Sequence, residues 1–168
     1  MPTFLLIHVA SSLIGIAAGF VVLCGLLTAK RLDGWTMLFL TTTVATSLTG
    51  YALPAKHLMP SHIVGAISLV VLAVAIFARY GRHMIGGWRL AYVVSAIVAL
   101  YLNVFVGVVQ SFLKVPTLRE LAPTQSEPPF VITQVIVMAL FVVLAILAAR
   151  KFRPNTTPAA AVVGAAKL

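Results

Sequence analysis

Two histidines occupy corresponding places in the sequence, and an imidazole can ligate a metal ion or exchange a hydrogen bond with a ligand. His8 lies in "LIHVASS" and His62, fifty-four positions later, lies in "PSHIVGA", each at the start of a long apolar run. Two neutral imidazoles that face each other across a helix bundle can ligate one haem iron axially. The alternative is that each histidine only bonds to water or lipid headgroups at the end of a membrane span.

A face of small residues extends from His8 along the first apolar run. Ser12, Gly15 and Gly19 follow His8 at i+4, i+7 and i+11, which places all four on one side of a helix. Small residues let another helix approach closely, and a flat haem macrocycle also fits beside glycine. The spacing therefore predicts close contact on this face, either with a helix or with a cofactor.

The amides of Asn103 and Gln110 complete the candidate site. Asn103 falls near the middle of the fourth apolar run, where an unpaired amide is costly, so we expect it to have a partner. Gln110 and Gln134 fall nearer the outer surface, within reach of water. We predict a site for haem b or a quinone-like ligand, with His8 and His62 as the metal ligands. Asn103 and Gln110 are predicted to bind the same cofactor.

The second apolar run is rich in hydroxyl groups. Thr42, Thr46 and Thr49 form one helical stripe along it. Such hydroxyls usually bond to the backbone of their own helix or bridge to a neighbouring helix. We expect this stripe to serve helix packing, and the alternative is that it lines a cavity.

Recognisable motifs of enzymatic chemistry are absent from the sequence. The three acids, Asp33, Glu120 and Glu127, fall between the apolar runs, so no predicted span carries a carboxylate for an ion relay. The sequence has no Gly-x-Ser-x-Gly elbow, phosphate-binding loop, His-x-x-x-His pair or Cys-x-x-Cys pair. We predict no catalytic residue, and the sequence leaves open whether the protein is an enzyme.

The composition is that of a membrane protein. Hydrophobic residues make up 61% of the 168 residues and charged residues only 9%, against about one quarter charged in soluble domains. The formal net charge is +9, but the cations form short clusters between apolar runs and no basic stripe alternates with exposed aromatics. We therefore exclude nucleic acid as a partner and expect a lipid bilayer.

Five segments are long enough to cross about 30 Å of hydrocarbon as helices. Proline, glycine and charged residues separate them. The predicted spans are approximately 4–28, 34–53, 62–80, 88–113 and 130–149. The sequence thus predicts an all-α, integral membrane five-helix bundle in a single transmembrane domain, residues 1–153, followed by a disordered cytoplasmic tail, residues 154–168.

The first four spans form two similar hairpins. Gly34-Trp35 and Gly87-Trp88, fifty-three positions apart, occur near the start of the second span of each hairpin. His8 and His62 occur near the start of the first span of each hairpin. This predicts two tandem hairpin repeats of the same orientation, related by an axis along the membrane normal, with the fifth span appended. Chance coincidence is the alternative, and both tryptophans also suit anchors at a membrane interface.

Cations are distributed unevenly between the two predicted membrane faces. Nine of the twelve lie on the side of the carboxyl terminus and three on the other side. The first group comprises Lys30, Arg31, Arg79, Arg82, Arg89, Arg150, Lys151, Arg153 and Lys167, and the second Lys56, Lys114 and Arg119. Because basic loops stay cytoplasmic, the amino terminus is predicted outside and the carboxyl terminus in the cytoplasm.

The connection 114–129 is long and contains four of the nine prolines. Such a stiff segment either folds back over the outer mouth of the bundle or acts as a tether. The stretch "NVFVGVVQSFLKVPTLRELAPTQSEPPFVITQ", residues 103–134, resembles small uncharacterised multi-pass membrane proteins of proteobacteria, and the resemblance extends weakly over the five spans. The resemblance implies a bacterial inner membrane and no activity. The matching positions are Asn103, Gln110, Pro123, Gln125, Glu127 and Gln134.

Two function classes are compatible with these features. In the first, the outer half of the bundle binds haem or a quinone-like ligand and takes part in electron transfer. In the second, the protein is a non-catalytic accessory subunit of a membrane partner or a small transporter, and His8 and Asn103 only position helices.

Overall fold

The structure is a computed structural model that describes residues 2–52 and 60–153. These residues contain six α-helices and no strand. The helices are α1 (Pro2–Leu27), α2 (Asp33–Ala52), α3 (Pro60–Ile76), α4 (Trp88–Lys114), α5 (Pro116–Leu121) and α6 (Pro128–Lys151), and a π-helical turn, Phe77–Gly81, continues α3. The predicted disordered tail, residues 154–168, lies outside the described residues, as does most of the predicted loop 53–61.

The five long helices coincide with the five predicted spans to within two residues at each end when the π-helical turn is counted with α3. Four segments are long and apolar enough to cross a membrane: Thr3–Leu27, His62–Gly81, Trp88–Lys114 and Pro128–Lys151. The mean hydropathy of the second predicted span, α2, does not reach that level because this helix carries seven serine and threonine side chains. The described structure therefore supports a membrane protein with four candidate spans, and the fifth span remains a prediction.

Helices α1 to α4 form a closed ring of neighbours. Helix α1 packs on α2, α2 on α3, α3 on α4, and α4 again on α1. Helix α6 packs against α4 and α1 on the outside of this ring and buries few of its side chains. Many of the other apolar side chains of α6 are exposed, which is compatible with contact with lipid.

One end of the ring is filled by tightly packed side chains. Gly19 of α1 lies where a Cβ atom would come within 2.5 Å of Leu100 Cδ1 and 2.9 Å of Phe39 Cε2. Gly15, one turn earlier, lies against the hydroxyls of Thr42 and Thr43 in the same way. Helices α2 and α4 therefore occupy the glycine part of the small-residue face, and no room is left there for a macrocycle.

The same end contains a buried cation, which we call the Arg79 cluster together with Asp33, Thr36, Tyr80 and Tyr92. Arg79 is only 3% exposed, and its guanidinium donates a hydrogen bond to the carboxylate of Asp33 at the start of α2. Its Cζ atom lies 4.9 Å from the centre of the Tyr92 ring and 5.7 Å from that of Tyr80. The Tyr92 hydroxyl lies 3.4 Å from that of Thr36. The cluster thus connects α2, the π-helical turn and α4.

The long connection between α4 and α6 is partly helical. It contains α5, where a loop was predicted, and α5 packs on α4. The Gln125 amide donates a hydrogen bond to the Val109 carbonyl oxygen, 3.0 Å away. The segment folds back on α4 and is not a free tether.

Desolvation disfavours the charged form of Glu127, but hydrogen bonds from the Thr124 hydroxyl and from backbone N–H groups outweigh this and lower the pKa of its carboxyl.

We expect Gly19→Val to destabilise the protein by about 1–3 kcal/mol, because the new methyl groups would overlap Leu100 and Phe39. The matched control is Gly34→Val, since a Cβ atom at Gly34 meets nothing within 4 Å, and its effect should stay within about 0.5 kcal/mol. Unfolding of both variants in mild detergent would measure the difference. Equal stability of the two variants would contradict the close packing of α1.

We expect Arg79→Met to destabilise the protein by about 2 kcal/mol, because it removes a desolvated cation–π contact and the ion pair to Asp33. Arg82→Met is the control: Arg82 is exposed and its Cζ atom lies 5.5 Å from the centre of the Trp88 ring, a contact worth no more than about 1 kcal/mol. Thermal unfolding of both purified variants compares them. A larger loss in the Arg82 variant would contradict the assignment of Arg79 as the anchoring cation.

Candidate functional site

A cavity of about 160 Å³ lies between α1, α2, α3 and α4 at the end of the ring opposite the Arg79 cluster. All four predicted site residues line it: His8 from α1, His62 from α3, and Asn103 and Gln110 from α4. Gln110 and Tyr51 are exposed, so the cavity opens at this end of the ring, which we call the histidine end. The structure therefore brings together side chains that are up to 102 positions apart in the sequence.

The remaining lining contains polar, small and apolar residues. It comprises Ser12, Thr46, Ser47, Gly50, Tyr51, Val64, Gly65, Ser68, Leu102 and Val106. A hydrogen bond of 3.3 Å from the Ser47 hydroxyl to the Ser68 hydroxyl joins α2 to α3 beside the cavity. No residue of the connection 115–127 lines the cavity, so that segment folds back on the bundle without covering the site.

His8 is held by a hydroxyl of the neighbouring helix. Its Nδ1 atom lies 2.8 Å from the Thr49 hydroxyl oxygen. His8 is partly buried, and Gly50 lies against its ring, since a Cβ atom at Gly50 would be 3.7 Å from His8 Cε1. The absence of a side chain at Gly50 leaves space beside the imidazole. The alternative that His8 bonds only to water or headgroups therefore does not hold, because its ring has a partner inside the protein.

His62 is packed against an aromatic ring. The Tyr51 and His62 rings are stacked, with 5.4 Å between their centres and an angle of 21° between their planes. The Tyr51 hydroxyl donates a hydrogen bond of 2.6 Å to the His62 carbonyl oxygen. A Cβ atom at Gly65 would lie 3.4 Å from the Tyr51 ring. These contacts fix Tyr51 as one wall of the cavity beside His62.

Asn103 has the partner that its position requires. Its amide nitrogen donates a hydrogen bond of 3.0 Å to the hydroxyl of Thr43, which is fully buried. Thr42 and Thr49 donate to carbonyl oxygens of their own helix, as predicted for the hydroxyl stripe. Thr46 differs, because its hydroxyl oxygen is buried, lines the cavity and has no hydrogen-bond partner in the described structure. A ligand or a water molecule in the cavity can supply that partner.

The cavity does not continue through the ring. Toward the Arg79 cluster, the space between α1, α2 and α4 is filled by side chains that include Val22, Phe39, Ala96 and Leu100, and the described residues leave no room there for water. A path through the protein past Asn103 would require these helices to separate. Among the described residues the site is therefore not accessible from the Arg79 cluster.

The volume of the cavity limits its occupant. About 160 Å³ is close to the roughly 150 Å³ of an apolar cavity that holds one benzene molecule, and it is below the roughly 300–1,000 Å³ of pockets for drug-sized ligands. A single substituted ring fits this space, whereas a haem macrocycle requires the helices to move apart. Among the described residues no group of three or more His, Cys, Asp and Glu side chains is placed to hold a metal ion. Axial ligation of haem by His8 and His62 remains a prediction.

Tyr51 and Ser68 were not predicted from the sequence, because their positions in the lining depend on how α2 and α3 are rotated about their axes. Thr46 was assigned to the packing stripe, with cavity lining as the alternative, and it is the alternative that holds for Thr46. The expectation that Gln134 contacts water is wrong, because Gln134 is 9% exposed and its amide donates to the Phe105 carbonyl oxygen of α4 at 3.3 Å.

No family model, curated protein or solved structure matches this chain.

We expect Asn103→Ala to destabilise the protein by about 0.5–2 kcal/mol, because the hydroxyl of Thr43 would lose its partner inside the bundle. Gln110→Ala is the matched control, since Gln110 lines the same cavity but is exposed. Unfolding in mild detergent compares the two variants with the parent. A loss for Gln110→Ala as large as for Asn103→Ala would contradict this account of Asn103.

Proposed function

We propose that this protein is a multi-pass protein of a bacterial inner membrane that binds a small, ring-shaped, partly polar ligand at its histidine end. The headgroup of a quinone or quinol is the ligand class that fits best. The observation that carries the proposal is the cavity itself: it is sized for one ring, it is lined by His8, His62 and Asn103, and it contains the unpartnered hydroxyl of Thr46.

A quinone-type headgroup suits this lining chemically. It is a single uncharged ring with oxygen atoms at opposite edges, so its faces pack against apolar side chains while its oxygens exchange hydrogen bonds. The cavity offers apolar contacts from Val64, Leu102 and Val106 and polar groups on the same walls. The ring is also attached to a hydrocarbon tail, which the surrounding bilayer accommodates. An uncharged ligand agrees with the absence of carboxylates from the lining.

The membrane arrangement is part of the same proposal. We place five spans in the bilayer, including α2, where the hydroxyls of Thr42, Thr43 and Thr49 bond within the protein. Two tandem hairpins form the ring and α6 is appended to it. The uneven distribution of cations supports an amino terminus outside and a carboxyl terminus in the cytoplasm. The histidine end then faces outward.

Three other functions are less well supported by the geometry. Haem requires a larger cavity than the one present, and passage of a solute requires an opening through the packed end of the ring. A role as an accessory subunit needs a surface for its partner, and the exposed apolar side chains of α6 suit lipid equally well. Electron transfer to or from the bound ring is compatible with the proposal but would require a redox partner.

The binding test uses the full chain in lipid nanodiscs and a soluble short-tailed quinone, with the dissociation constant measured by calorimetry. Ser12→Leu should weaken binding at least tenfold, because Ser12 lines the cavity and the larger side chain would fill part of its volume. The matched control is Ser11→Leu, since Ser11 is the adjacent residue and does not line the cavity. Absence of saturable binding by the parent protein, or equal affinity in the two variants, would contradict the proposal.

The absorption spectrum separates this ligand from haem. We expect protein purified from a haem-supplemented host to be folded and to lack a Soret band, because the cavity holds one ring and not a macrocycle. A Soret band that disappears in both His8→Ala and His62→Ala would instead establish the haem site and overturn the choice of a quinone-type ligand.

A further inference from the structure

The hydrogen bonds around Thr49 determine which nitrogen of His8 carries the proton. The Thr49 hydroxyl is 2.8 Å from the Ala45 carbonyl oxygen and 3.2 Å from that of Thr46, so its single proton is directed to its own helix. That hydroxyl oxygen also lies 2.8 Å from His8 Nδ1. The hydroxyl cannot donate both to its own helix and to His8. All of these contacts are hydrogen bonds only if His8 carries a proton on Nδ1 and donates it to the Thr49 hydroxyl oxygen.

A neutral imidazole with a proton on Nδ1 has its lone pair on Nε2. His8 lines the cavity, and the space beside Gly50 leaves the ring without a neighbouring side chain there. His8 therefore presents a hydrogen-bond acceptor to an occupant of the cavity. This is the acceptor that an occupant with an O–H group requires.

Thr46 supplies the complementary group. Its hydroxyl is buried, lines the cavity and has no partner in the described structure, whereas the otherwise similar Thr42 hydroxyl donates to its own backbone at 2.7 Å. A ligand hydroxyl can both donate to a nitrogen lone pair and accept from another hydroxyl, whereas a carbonyl oxygen can only accept. A carbonyl placed beside His8 would leave two acceptors in contact.

We infer that the cavity selects the hydroxyl-bearing, reduced form of the ring, a hydroquinone, over the corresponding quinone, and that Thr49 sets this preference by fixing His8 as the Nδ1–H tautomer. The inference rests on the proposed function and extends it to the form of the ligand. Thr49 acts here as a positioning residue, because it contacts His8 and is not part of the cavity lining.

The binding experiment compares tetramethylhydroquinone, the corresponding quinone and the dimethyl ether of the hydroquinone, under anaerobic conditions and with the full chain in nanodiscs. We expect the hydroquinone to bind about tenfold more tightly than either of the others, as the loss of one buried hydrogen bond predicts. Thr49→Val should reduce this ratio to about one. Thr42→Val is the matched control, because Thr42 makes the same kind of bonds to its own helix but does not bond to a histidine among the described residues, and it should keep the full ratio.

A second measurement tests the tautomer without any ligand. Nitrogen-15 NMR of histidine-labelled protein distinguishes Nδ1–H, Nε2–H and doubly protonated imidazoles, and His8→Gln identifies the His8 signal. We expect Nδ1–H in the parent and in Thr42→Val, and a mixture in Thr49→Val. If no ring binds but His8 is the Nδ1–H tautomer, the proposed ligand class fails while the role of Thr49 stands. An Nε2–H or doubly protonated His8, or a quinone that binds as tightly as the hydroquinone, overturns the inference.

Discussion

The structure depends on one constraint: a polar group that leaves water inside a helix bundle must find a partner. Helix α2 shows this most clearly, because its hydroxyls are numerous enough to lower its hydropathy below that of the other long helices. The hydroxyls of Thr42 and Thr49 donate hydrogen bonds to carbonyl oxygens of their own helix, and the hydroxyl of Thr43 accepts one from the amide of Asn103. Helix α2 therefore joins the ring through hydrogen bonds as well as through apolar packing.

The two ends of the ring meet this constraint in different ways. At the Arg79 cluster a buried guanidinium pairs with an exposed counter-ion, Asp33, and lies against the buried ring of Tyr92, and the adjoining interior is filled. At the histidine end the pairing is incomplete, because Thr46 lacks a partner and the helices leave a cavity beside it. A site for a ligand is expected where protein groups leave hydrogen-bonding capacity unused. This contrast locates the proposed function at one end of the molecule.

Hydropathy and histidine spacing predicted the helices and part of the site, because both depend on periodicity along one chain. His8, His62, Asn103 and Gln110 were selected from sequence, and all four line the cavity. The volume of that cavity was not predictable, since differences of a few tenths of an ångström in the distances between helices change it. The burial of Arg79 was also missed, because a cation at the end of an apolar run is usually exposed at the membrane interface.

The π-helical turn Phe77–Gly81 has a consequence for the geometry of α3. Arg79 follows Leu72 by seven residues and Ala75 by four, so ordinary helical spacing already brings its side chain to the buried face of α3. A widened turn accommodates one more residue than an α-helical turn, so it changes the angular direction of the residues that follow it. The winding defect therefore acts after the buried cation, where it sets the direction in which the chain leaves α3.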